Sequence, residues 1–265
     1  MVIIDTHAHL DMPEFDNDRQ EVIARAHEAG VAAIVTIGID LPSCRQAIAL
    51  AEANPGVWAA VGIHPQETKG VKKEDVDQLE SLAKHPRVVG IGELGLDFYR
   101  HYSPLEDQMA ILKLELEVAG RVGLPVIVHC RQAQNEMLPI LQSWAGALKL
   151  PAGKAAGVLH CFSGDFAIAE KYMEMGFYIS VGAYIGYPSS AQLRETLKRV
   201  PLNRIVIETD CPFLPPQKYR GQRNEPVYTL ITAGVLAEIK GLPPEEIAGQ
   251  TTQNAVKLFN LTGVE

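Results

Sequence analysis

Six side chains able to bind a divalent cation stand at the ends of short apolar runs. His7 and His9 follow the run 2–5, Glu93 follows 88–92, His129 follows 125–128, His160 follows 157–159, and Asp210 comes shortly after 205–207. In the first run, His7 and His9 are two apart. An extended chain alternates its side chains between faces, so both imidazoles point the same way. Paired imidazoles at a strand end make half of a site for a divalent metal; the alternative is a polar strand end facing water. Four histidines and two carboxylates are more donors than one tetrahedral ion needs. They fit two divalent ions, with Glu93 as a bridge that gives one oxygen to each. Zinc, manganese and magnesium are all compatible with this set. Such a centre lowers the pKa of a water and clamps attacking and leaving oxygens. Asp210 is expected both to bind a metal and to accept the nucleophile's proton; its alternative role is a helix N-cap.

The elements that must carry these residues follow a strand–helix rhythm repeated eight times. Strands are expected at 2–5, 31–38, 57–63, 88–92, 125–128, 157–159, 177–181 and 205–207. Helices are expected at 16–29, 42–53, 73–84, 104–122, 134–148, 165–175 and 191–200, with two more at 227–239 and 244–260. Gly30 stops the first helix and Pro42 opens the second. Continuous Val/Ile strands indicate a parallel sheet buried on both faces. Eight such units in this length predict an α/β fold, a (β/α)8 TIM barrel, with residues 1–265 forming one domain. An open doubly wound sheet is the rival. All six donors fall at C-terminal strand ends, the face on which barrel enzymes build their sites. His64 closes the third strand on the same face, while His27, His85 and His101 lie in helices or loops.

Composition narrows the setting. The 265 residues are 47% hydrophobic and carry a formal charge of −8, so no broad basic surface is expected to grip duplex nucleic acid. A polyanionic substrate must be held locally, by metal ions and a few arginines. Cysteines stand at 44, 130, 161 and 211. Three of them directly follow a proposed ligand, so alternation should turn them away from the site as small buried residues, with thiolate ligation as the rival reading. No apolar run is long enough to cross a bilayer, and no basic leader precedes the first strand. The cytoplasm is the expected compartment, with no membrane contact and no stable protein partner.

Six motifs stand in order along the chain: His7-Ala8-His9, Gly92-Glu93-Leu94-Gly95-Leu96-Asp97, Ile127-Val128-His129-Cys130-Arg131, His160-Cys161-Phe162-Ser163-Gly164, Glu208-Thr209-Asp210-Cys211-Pro212-Phe213 and Arg220-Gly221-x-Arg223-Asn224-Glu225-Pro226. Through them the chain resembles the TatD family of metal-dependent deoxyribonucleases, within the amidohydrolase superfamily, over essentially residues 1–260. The resemblance implies a (β/α)8 barrel and hydrolysis of DNA phosphodiesters, often as a 3′→5′ exonuclease on single strands. It also implies metal roles for His7, His9, Glu93, His129, His160 and Asp210. Three positions depart from the pattern: Gln66 where a second histidine is common, Gln132 where an acid is common, and Gln222 where lysine is usual.

Beyond the ligands, His64, Arg131, Arg220 and Arg223 are expected to touch substrate. Each has an alternative: a core histidine for His64, a salt bridge for Arg131, and anchoring of the loop on Glu225 for Arg220 and Arg223. Tyr99 and Tyr102 could stack on bases or pack under a loop. The rival activity is hydrolysis of small amides, lactones or phosphotriesters with the same metals, because one fold hosts many chemistries. A non-catalytic binding barrel is a third possibility, which the complete ligand set disfavours. For the nuclease reading, loss of Arg223 should weaken oligonucleotide hydrolysis chiefly through KM.

Overall fold

The computed structural model describes residues 2–148 and 154–263. The ends of the expected 1–265 domain, Met1 and residues 264–265, lie outside the described residues. Eight parallel strands form one sheet: β1 Ile3–Ala8, β2 Val31–Ile37, β3 Val57–Val61, β4 Val88–Asp97, β5 Val126–Arg131, β6 Gly157–Leu159, β7 Phe177–Val181 and β8 Ile205–Ile207. Their order in the sheet is their order in sequence, and a helix follows each strand: α1 Arg19–Glu28, α2 Leu41–Ala53, α3 Lys73–Leu82, α4 Leu105–Val122, α5 Gln134–Ala147, α6 Phe166–Glu174, α7 Ala191–Arg199 and α8 Thr229–Lys240, with α9 Pro244–Phe259 beyond. This is the (β/α)8 barrel.

The first and last strands meet at a seam made more by side chains than by a ladder. A single bridge pairs Ala8 with Cys211. Around it the Asp5 carboxylate accepts from Thr209 N (2.9 Å) and Thr209 Oγ1 (2.6 Å), and Thr6 Oγ1 donates to the Ile207 carbonyl. His9 N donates to Cys211 O and Asp210 N to His7 O. The seam therefore sets His7 and His9 directly against Asp210.

Buried apolar residues form two layers. Ile4, Val35, Ile127, Val158 and Val206 fill the barrel, and α9 caps that core with Ala255, Leu258 and Phe259. Ile3, Ala8, Ile91, Leu94 and Leu96 belong to the outer layer under the helices. Strict alternation would put Ile3 and Ala8 on opposite faces, and Ile91 and Leu94 likewise. Both β1 and β4 break register in between, at Asp5/Ala8 and at Ile91/Leu94. Such a break exchanges the two faces of a strand. It turns His7 on β1, His9 just past its end, and Glu93 on β4 towards the site. Glycine is required beside this break. Gly92 holds φ +146°, and a Cβ there would lie 2.4 Å from the Ile127 carbonyl oxygen.

Several boundaries differ from those expected. Strand β4 continues to Asp97, because Leu94 to Asp97 pair with Val128 to Arg131 despite their polar members. Glu93 and His129 accordingly sit inside strands rather than past their ends. The first helix starts at Arg19, after a short 3-10 turn at Pro13–Phe15. Among the described residues, no helix is long and apolar enough to cross a membrane.

One buried acid supports the site from outside. Glu115 on α4 is 1% exposed and accepts a single hydrogen bond, from Ile63 N at 2.7 Å, next to His64. Burial pushes its carboxyl well above the ordinary value of 4.5, so the folded protein keeps it protonated. The folded state then holds a proton that the unfolded chain releases. Its stabilising contribution is complete below about 4.5 and declines as pH rises towards the raised folded value, by up to about 1.4 kcal/mol per pH unit. Urea unfolding at several pH values should show Glu115→Gln, which keeps the acceptor oxygen, declining less steeply above pH 5 than the parent. Equal slopes would mean Glu115 is ionised in the fold.

Candidate metal centre

Glu93 stands at the middle of the site, 3% exposed. Its two oxygens face different partners. Oε2 lies 3.3 Å from His7 Nε2 and 3.8 Å from His9 Nε2. Oε1 lies 2.6 Å from His129 Nδ1, 3.6 Å from His64 Nε2 and 3.7 Å from His160 Nε2. Asp210 Oδ1 closes the other side, 3.4 Å from His9 Nε2, 3.6 Å from His160 Nε2 and 3.8 Å from His7 Nε2. The six donors picked out by spacing are thus gathered within contact of one another. Gly95 makes room for this: it has φ +147°, and a Cβ on it would collide with the His129 carbonyl.

The donor chemistry fits cations. His9 Nδ1 meets the Ile37 carbonyl at 3.1 Å, which places the ring proton there and leaves the Nε2 lone pair free. That lone pair faces His7 Nε2 at 3.2 Å, while buried His7 Nδ1 has no hydrogen-bond partner. His160 has the same arrangement, with Nδ1 on Glu208 Oε2 at 3.0 Å and Nε2 towards Glu93 and Asp210. Lone pairs and carboxylate oxygens converging at this spacing repel one another unless a positive charge lies between them. Groups of three that can hold one ion are His7, His9 and Glu93; His7, His160 and Asp210; His64, Glu93 and His129; and His160, Cys161 and Glu208, the last of which keeps the thiolate reading open for Cys161.

The site collects positive charge: against burial, nearby carboxylates hold His9, His129 and His160 above the ordinary 6.5, so protons stand where a bound cation would displace them. Burial alone would raise the Glu93 carboxyl, but the surrounding histidines, His160 foremost, hold it well below the ordinary carboxylate range. The same balance lowers Asp210, where burial is outweighed by His160, His9 and His7. Both groups are ready as anions.

Residues outside the expected set complete the site. Glu208 is fully satisfied by His160, Ser180 Oγ (2.6 Å) and Cys161 N (2.7 Å). Asp97 takes His129 Nε2 at 3.2 Å, together with the amides of Tyr99 and Arg100. Carboxylates behind histidines in this way fix ring orientation and basicity. Both carried a signal in the sequence: Glu208 shares a face with the inward Val206 by alternation, and Asp97 shares one with Glu93 once β4 is extended. Cys161 departs from the expectation. Its φ of +44° breaks the alternation, and its Sγ lies 3.8 Å from Asp210 Oδ2 rather than pointing away.

The four expected substrate contacts separate. His64 lies at the site, with Nδ1 accepting from Gln66 N at 3.1 Å, so the ring proton is on Nε2, facing Glu93. Burial keeps this ring neutral, its pKa lowered to about 3. Arg131 and Arg220 are exposed; Arg131 stacks on Tyr99 at 4.0 Å, and Arg220 on Tyr187 at 4.7 Å. Arg223 is held by the protein itself. Its guanidinium grips both oxygens of Asp18 at 2.7 Å, Glu225 at 2.9 Å and the Glu14 carbonyl, and Arg25 bonds the same two acids. With four bonds from Nη1 and Nη2 to protein acceptors, Arg223 fits the anchoring alternative.

A family model described as TatD related DNase matches residues 4–260. A relative in Bacillus subtilis named "Uncharacterized metal-dependent hydrolase YabD" is 38% identical, over 98% of this chain and 100% of that protein. One in Erwinia tasmaniensis named "3'-5' ssDNA/RNA exonuclease TatD" is 36% identical over the same shares. The crystal structure of YjjV, a TatD homologue from Escherichia coli, superposes with a TM-score of 0.90 at 32% identity, covering 98% of each chain.

The Arg223 network yields a test. Arg223→Ala should cost about 1–2 kcal/mol in urea unfolding, the range for charge-assisted bonds at a partly exposed site. It should also slow turnover of an oligonucleotide and of a small phosphodiester by the same factor. A loss confined to the oligonucleotide, appearing in KM, would restore the phosphate contact.

Proposed function

This chain belongs to the TatD-related DNase family, and on that premise we propose that it removes nucleotides from the 3′ end of single-stranded DNA by metal-dependent hydrolysis. Relatives at this identity carry the name of an exonuclease acting on single-stranded DNA and RNA, which makes RNA a second candidate substrate. The observation that carries the reading is the division of the Glu93 carboxylate. One oxygen faces His7 and His9, and the other faces His129 and His160. This is the arrangement needed to bridge two ions.

In this reading His7, His9, Asp210 and Glu93 Oε2 would hold one divalent ion, and His129, His160 and Glu93 Oε1 the other. Bound there, the ions would polarise the phosphoryl oxygens and acidify the attacking water. The remaining work belongs to the chain. Asp210 turns Oδ1 to the histidines, and Oδ2, beside Cys161 Sγ, is the oxygen to receive the nucleophile's proton. Its lowered pKa keeps it unprotonated at neutral pH. Neutral His64 offers Nε2–H as a donor to a phosphoryl oxygen. Arg131 and Arg220, exposed and without a carboxylate partner among the described residues, are the cations suited to flanking phosphates.

Two measurements test this. Chelated protein reloaded with zinc, manganese or magnesium should bind up to two ions per chain by elemental analysis, and Glu93→Gln should lower both affinities. Saturation at one ion would remove the bridge. Asp210→Asn should keep the fold and cut hydrolysis of 3′-labelled single strands by at least about 10²-fold, the lower range of general-base effects. Near-normal turnover with metal still bound would place the base elsewhere. Turnover of an amide or lactone, with no oligonucleotide hydrolysis under any divalent metal, would overturn the nuclease reading.

A further inference from the structure

Five large apolar or aromatic side chains are exposed among the described residues, and four of them stand on one face. Tyr99 (54%), Tyr102 (65%) and Leu105 (49%) follow β4, Phe213 (46%) follows β8, and only Val2 lies at the opposite end. Apolar side chains scattered singly over a surface need no explanation, but a cluster around a site mouth does. In a closed barrel whose strands run in order from one to eight, β4 and β8 are diametrically opposed. Tyr99 and Tyr102 therefore occupy one rim of the mouth and Phe213 the other, with the candidate metal centre between them.

Both rims are rigid, and each is tied down by a buried amide side chain. Asn224, fully buried, donates through Nδ2 to the carbonyls of Thr209 (2.7 Å) and Phe213 (2.6 Å). Its own N–H donates to Pro212 O. Phe213 thus stays exposed on a fixed backbone, with its ring 6.1 Å from that of His9. On the other rim, Gln66 donates to the carbonyls of Asp97 (3.2 Å) and Arg100 (2.8 Å) and accepts from Tyr102 N (2.8 Å). This is one of the positions at which the chain departs from the usual family pattern. Aromatic faces held in place before binding lose little freedom on stacking.

The rims differ in charge. Arg131 lies 4.0 Å from the Tyr99 ring centre, and Arg100 lies 6.0 Å from that of Tyr102. Phe213 has no such cation among the described residues; on its loop, Arg220 is turned onto Tyr187. Interleaved aromatics and cations suit a run of successive bases and phosphates. A bare aromatic ring beside the metal ligands suits one base only.

We propose that Phe213 is the stacking platform for the base of the terminal, leaving nucleotide, and that Tyr99 with Arg131 receives the retained strand across the centre. This rests on the phosphodiesterase reading above and adds a direction to it. The strand crosses the mouth from the β4 rim to the β8 rim, with the scissile phosphate over Glu93. Recognition through a ring face also tolerates any base, as an enzyme degrading mixed sequence requires.

The test pairs protein and substrate changes. Single strands with an intact or an abasic 3′-terminal nucleotide are compared by kcat/KM in the parent, Phe213→Ala and Phe213→Trp, with metal content matched. The parent should favour the intact end by roughly 5- to 150-fold, the range for one stacked base. Phe213→Ala should bring the intact-end rate down to the abasic-end rate, and Phe213→Trp should retain the preference. Tyr99→Ala should keep the terminal preference and lose discrimination against an abasic nucleotide further inside. A parent indifferent to the terminal base, or a Phe213→Ala that slows both substrates equally, would overturn the proposal. A parent that cleaves no oligonucleotide at all would instead overturn the nuclease reading beneath it.

Discussion

The carboxylate of Glu93 sets the terms for the rest of this protein. A carboxylate buried within a protein needs compensating charge or donors, or it takes up a proton. Here the imidazoles of His7, His9, His64, His129 and His160 approach it from several strands. In His9 and His160 the other ring nitrogen donates to a carbonyl or a carboxylate, so the neutral ring presents a lone pair to the site, whereas His64 presents its proton. Buried His7 Nδ1 is left without a hydrogen-bond partner among the described residues. The cluster is built to be completed by cations, and that incompleteness is what makes it a centre for chemistry rather than a polar core.

Holding such a cluster together demands a stiff frame, and the frame is visible in the surrounding groups. Asp5 and Thr6 knit β1 to β8, where few backbone bonds are available. Glu208 and Asp97 stand behind His160 and His129 and limit their rotation. The ion network of Asp18, Arg25, Arg223 and Glu225 ties the loop after β8 to the region around α1. Below, α9 seals the apolar interior. Each of these features acts at a distance from the reacting atoms, and each fixes the direction of a side chain that does not.

Much of this was legible in the sequence, for a physical reason that also marks its limit. Strand periodicity and runs of Val and Ile are local properties, so the eight βα units and the parallel sheet could be read directly. For His129 and His160 the alternation runs unbroken from the inward residues Ile127 and Val158, so their facing followed from spacing alone; Asp210, past the end of β8 at φ +58°, is placed by the seam, where its N–H donates to His7 O. The seam residue Asp5 and the buried Asn224 gave no comparable signal, because their partners are distant in sequence.

The facing of His7, His9 and Glu93 was decided by tertiary structure. Alternation from Ile4 would leave His7 and His9 on the helix side of β1, and on β4 the inward Val89 and outward Ile91 give opposite answers for Glu93, since a period of two carries no information about a register break. The breaks at Asp5/Ala8 and Ile91/Leu94 exist because neighbouring strands impose their own pairing, and Gly92 tolerates the backbone that results. The fate of Arg223 has the same origin: its motif was plain, but Asp18, which takes it, lies 205 residues away. Sequence determined which residues could act and at which end of the barrel, through local patterns of polarity and size. Only the packed chain decided which of them face one another, because long-range pairing, not local preference, sets the register of a strand and the partner of a charge.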